Sequence, residues 1–118
     1  MTDELPREHK NAIGTTFYTA MGATNTWDKV NATGALLSML LTSATAADNH
    51  KDENMLNVEL RIWGDAMRFH EDDHGKNRAA FLCQKILGRI GALAYKYGQM
   101  PAGGFKLTSA NAQEGGNR

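Results

Sequence analysis

A chain of 118 residues accommodates one domain, large enough to bury a real core. Thirteen basic and thirteen acidic residues cancel to a formal charge of zero, which excludes the overall basic balance typical of nucleic-acid-binding domains, although segregated charge can still leave a local patch. The single cysteine, Cys83, excludes an intramolecular disulfide, and the charged start MTDELPREHK lacks the apolar stretch of a secretory signal, so a reduced, cytoplasmic setting is expected.

Asp3 is suited to cap a first helix, with Pro6 tolerated in its first turn. Leu5, His9, Ala12, Ile13, Thr16, Phe17 and Ala20 then recur at the three-four spacing of one helical face, to about Met21, and Gly22 ends the run. Gly14 and the threonines give this segment low intrinsic propensity, so it depends on tertiary packing. His9 on its face reads as a core histidine satisfied by a hydrogen bond.

Asn25 or Thr26 caps a second helix running to about Ala47. Trp27, Val30, Gly34, Leu37, Leu41 and Ala44 make one stripe, while Leu36, Met39 and Leu40 occupy other sides. Such a helix is buried on more than one side, in the middle of a bundle or at a subunit interface. A short bundle has little material with which to surround a central helix, so the sequence points to an interface through Leu36 and Leu40, and hence to a homo-oligomer. The stretch 30–47 is uncharged but diluted by asparagine, serine and threonine, and at the short end of the roughly 20 residues that span a bilayer, so no membrane segment is expected.

Asp48 and Asn49 mark the next boundary, with Asp52 in a loose capping-box relation to Asn49. From Asp52 to about His70 two patterns compete. Leu56, Val58, Leu60 and Ile62 alternate with Asn57, Glu59 and Arg61 as in a half-buried strand. A lone strand would leave its backbone groups unsatisfied, and no second such run exists to pair with it, so a helix is predicted. A buried Glu59 on that helix requires a partner, for which Lys85 or Arg89 is suited.

His70-Glu71-Asp72-Asp73-His74 satisfies the spacing H-E-x-x-H, in which two histidines one turn apart bind zinc and the glutamate activates water. Here the intervening residues are acidic and Gly75 follows at once, so the segment reads as the polar end of a helix and a connector. His70 and His74 are retained only as weak metal candidates; no cofactor and no catalytic residue is expected.

The clearest helix runs from Lys76 to Tyr97. Leu82, Cys83, Ile86, Leu87, Ile90, Leu93, Ala94 and Tyr97 form its apolar arc, with Cys83 read as a small buried hydrophobe. Arg78, Lys85, Arg89 and Lys96, spaced 7, 4 and 7 apart, make a basic stripe. A third arc holds Ala80, Gln84, Gly88 and Gly91 near Phe81 and Tyr95; two glycines, each costing about 1 kcal/mol of propensity, point to close approach of another backbone or a ligand. Gly98 is expected in a left-handed terminating conformation before Pro101.

The stripe supports three readings. With the preceding helix it makes a helix-turn-helix, which the long connector and its acidic residues disfavour. With Phe81 and Tyr95 it makes a site for a nucleotide-like anion, with Arg78, Lys85, Arg89 and Lys96 as its cations. Otherwise it is a solvated or intersubunit face. The expected fold is all-α, about four helices over 1–98 with a flexible tail over 99–118 in which Phe105 and Leu107 are the only anchors. The expected function is non-catalytic binding of a protein partner by a homo-oligomer, with Leu36, Leu40, Gly88 and Gly91 as contacts. A small anionic ligand is the alternative, and nucleic acid is disfavoured.

Overall fold

The computed structural model describes residues 6–70 and 75–100. These form four helices, α1 (Arg7–Gly22), α2 (Thr26–Ala46), α3 (His50–His70) and α4 (Lys76–Tyr97), with no strand among the described residues. The protein is an all-α bundle. Three-residue connections over 23–25 and 47–49 make α1, α2 and α3 antiparallel neighbours in turn. Helices α2 and α4 each pack against the other three, while α1 and α3 lie on opposite sides of that pair.

That arrangement corrects the expectation for α2. With three helices around it, α2 buries Val30, Leu36, Leu37, Leu40 and Ala44 completely within this one chain. Leu36 and Leu40 are therefore interior residues of the core built with Ile13, Leu56, Ile86, Leu87 and Ile90, not surface contacts. Apolar residues around most of α2 are accounted for by its place on the short diagonal of the bundle.

Two helices start at side-chain caps, while α1 starts after Pro6 and α4 after Gly75 without one. The Asn25 side chain accepts the Asp28 backbone N–H at 3.0 Å, and Asn49 accepts that of Asp52 at 3.0 Å. Segment 56–62 is helical, and its alternation arises because Leu56 and Glu59 face inward while Val58 stands 49% exposed on an edge. Between α2 and α3, Asp48 adopts φ 55°, the left-handed conformation that a short aspartate side chain tolerates better than most.

Three of the glycines set close contacts between elements. A Cβ on Gly34 would fall 2.4 Å from Trp63 Cζ2, so the bare backbone of α2 forms the notch that admits the indole, whose Nε1 donates to the Val30 carbonyl at 2.8 Å. On α1, a Cβ on Gly14 would fall 2.0 Å from the Gln99 carbonyl oxygen. There the chain leaving α4 crosses α1, and the Gln99 N–H donates to the Lys10 carbonyl at 2.8 Å. The domain therefore extends past 98 to include Gln99 and Met100, the latter packed on the core. Gly98 is not left-handed, with φ −106° and ψ 171°; a Cβ there would meet the Ala94 oxygen and Ile13 Cγ2, each at 2.6 Å, so close approach is what requires glycine. Phe105 and Leu107 lie outside the described residues. No helix among the described residues is long and apolar enough to cross a membrane.

Candidate contact face

Helices α3 and α4 run side by side, joined at three levels by the basic stripe. At the middle level Arg89 Nε donates to Glu59 Oε2 at 2.8 Å and Arg89 Nη2 to Glu59 Oε1 at 2.9 Å, a two-point pairing that matches a guanidinium fork to a carboxylate. Glu59 is 4% exposed, so this pairing supplies the partner its burial demands. The same hydrogen bonds raise the Arg89 pKa further above its ordinary value.

At one end, Asp52 Oδ2 accepts from Lys96 Nζ at 2.7 Å and from Tyr97 Oη at 2.5 Å. The ammonium and then the phenol hold the Asp52 carboxyl below its ordinary 3.8. A carboxyl with a lowered folded-state pKa contributes stability that is present above 3.8 and is lost as pH falls through the folded value. Unfolding by urea is thus expected to grow easier below about pH 4, and Asp52→Asn to flatten that dependence while lowering stability at neutral pH. At the other end the Arg78 guanidinium lies 4.7 Å from the centre of the Phe69 ring. Lys85 reaches back one turn to sit 5.2 Å from the centre of the Phe81 ring.

Every cation of the stripe is thus engaged within the chain, and they do not converge with Phe81 and Tyr95 on one pocket. Phe81 and Tyr95 are separated by four turns, about 21 Å along α4. Tyr95 leans toward α1, where its ring meets Phe17 edge-on at 6.4 Å, while Arg89 leans toward α3. An open hollow between the end of α1 and the start of α2, lined by Tyr18, Thr19, Met21, Thr24, Asp28 and Asn31, contains no stripe residue.

The two glycines of α4 do different things. Gly91 faces α1, its Cβ position 3.5 Å from Phe17 Cζ. Gly88 faces outward with nothing within 4 Å of a Cβ. Along the same outward ridge Phe81 is 61% and Tyr95 56% exposed, and Ala92 is exposed between them. The result is a ridge with an aromatic ring at each end and a backbone-bare centre, bordered on the α3 side by the engaged cations.

His9 Nε2 lies 3.1 Å from Ser43 Oγ and 3.3 Å from the Met39 carbonyl oxygen, a satisfied histidine between α1 and α2. His50 is exposed, paired with Glu53 at 2.8 Å and Asp48 at 3.3 Å. Among the described residues no group of three or more His, Cys, Asp or Glu is placed to hold a metal ion. His70 closes α3, and its side chain, Glu71 and His74 lie outside the described residues.

Sequence reasoning missed Lys29. Its ammonium, on a residue only 8% exposed, donates to the Ala20 carbonyl at 2.7 Å, the Met21 carbonyl at 3.4 Å and Gln84 Oε1 at 2.8 Å. It supplies from α2 the positive charge that the last turn of α1 lacks, and so ties α1, α2 and α4 together. Burial pushes its pKa down. The readable signal was a helix ending without a basic residue, followed by a lone lysine ahead of an uncharged run.

No protein-family model, curated protein or solved structure matches the chain.

Proposed function

We propose that the protein works without catalysis, as a small cytoplasmic binding protein such as an inhibitor, adaptor or assembly factor, whose contact surface is the outward ridge of α4. One observation carries this reading: Phe81 and Tyr95 stand more than half exposed on either side of an open Gly88, while the neighbouring cations are engaged inside the chain. Exposed aromatic rings beside small residues are what a protein contact uses, because rings supply area at low entropic cost and glycine allows close approach. An anion-binding role would need Arg89 to leave a buried carboxylate, and that carboxylate would then be unpaired.

The test is an aromatic photo-crosslinking amino acid in place of Phe81, which leaves Gly88 bare, or, as control, in place of Arg61 on the exposed side of α3, with the whole chain produced in its own cell. Protein adducts are expected from position 81 and not from 61. Adducts from neither position, or from both equally, would remove the ridge from this role.

A further inference from the structure

We infer that this ridge is taken up by a second copy of the chain, with two α4 helices packed antiparallel and crossing at Gly88 so that Phe81 of each copy lies against Tyr95 of the other. The inference rests on the reading above that the outward ridge of α4 is the contact surface. A two-fold axis at Gly88 pairs each residue n places before it with the residue n places after it. Phe81 and Tyr95 are each seven places away, two turns and about 10 Å, and both point within about 20° of the Gly88 direction. The two exposed rings therefore meet each other, while the crossing point is the position with no side chain and open space around it. Four places away on either side, Gln84, whose amide is engaged by Lys29 and Met21 of its own chain, falls opposite the small Ala92.

Charge favours the same occupant. A surface facing its own copy brings like charges together unless they are compensated, and two cations bordering the ridge are compensated within the chain, Arg89 by Glu59 and Lys96 by Asp52. Lys85 folds back over Phe81 and falls opposite Gly91 in the pairing. An acidic partner or a nucleic acid would find those two cations already paired. The ridge is about 21 Å long. One helix crossing of that length is smaller than the roughly 800 Å² per partner of a standard interface, so the dimer is weak, with Kd in the micromolar range.

The experiment is sedimentation velocity on the full chain from low-micromolar to near-millimolar concentration, for wild type and Gly88→Leu. The new side chain enters open space on the outward face of α4, so the variant keeps its helical circular dichroism and unfolds at or a few degrees above the wild-type temperature while Kd rises about tenfold or more. In parallel, Phe81→Cys and Tyr95→Cys chains, which both keep Gly88, are mixed and oxidised; the mixed disulfide forms ahead of either homodimer, and buried Cys83 stays out of the exchange. A wild type that is monomeric throughout, a dimer indifferent to Gly88→Leu, or preferred 81–81 and 95–95 pairing would each overturn the inference. Should Gly88→Leu fail to fold, the cysteine pairing decides alone. A monomer would overturn only the pairing, because the crosslink from position 81 still reports whether another protein occupies the ridge.

Discussion

Replacing Arg89 with alanine is expected to destabilise the protein by about 3 kcal/mol, a fall in Tm of roughly 10 °C, because it strands a carboxylate in the α3–α4 contact. Glu59 is the inner member, its side chain 6% exposed against 39% for Arg89, so the loss falls on a group that cannot turn to solvent without moving α3. The converse change, Glu59→Gln, leaves a half-exposed guanidinium able to find water, and costs less, about 1–2 kcal/mol. Replacing both together by Met and Leu is expected to recover most of the stability, since an apolar pair of similar volume removes the desolvation cost of both charges. Urea unfolding of wild type, Arg89→Ala, Glu59→Gln and the double variant carrying both of those changes gives the coupling directly, with the Met and Leu pair as a fifth protein. A coupling near zero would mean that the pair does not hold the helices, and that Arg89 is available to an external anion.

Gly34→Ala is the second large effect. A methyl placed 2.4 Å from Trp63 Cζ2 and 2.6 Å from Cε2 cannot be accommodated without moving the indole or separating α2 from α3. Either response breaks the Trp63 Nε1 hydrogen bond to the Val30 carbonyl. Alanine would return about 1 kcal/mol of helix propensity, so the net loss is expected at about 2–3 kcal/mol. In a Trp63→Ala background the clash disappears, and the same substitution should become neutral or mildly stabilising. Tm measured across the four combinations checks this; a Gly34→Ala protein as stable as wild type would place the indole elsewhere.

How far the sequence reveals the structure differs from element to element. Helix α4 is legible to its boundaries because its apolar arc is continuous and Gly98 closes it, and the need of Glu59 for a cation follows from its place in an apolar run. The alternation over 56–62 is misleading for a physical reason: positions two apart on a helix lie 200° apart, so Leu56 reaches the core while Val58 lands on an edge. The placement of Leu36 and Leu40 could not be read, since periodicity reports how much of α2 is covered and not whether this chain or another covers it. Which residue answers each cation was hidden likewise. Arg78, Lys85, Arg89 and Lys96 look alike in the stripe, but α3 presents a ring to the first, a carboxylate to the third and another to the last, while the second turns back on its own helix.

Native mass spectrometry of the untagged full chain tests most directly the claim that the protein acts through a contact face and not through a bound small molecule. At concentrations near the expected Kd, one-chain and two-chain species are expected, with masses that are multiples of the 12.9 kDa of the sequence and nothing added. A species that stays at one chain throughout and carries the stoichiometric added mass of an anionic ligand or a metal ion would contradict it.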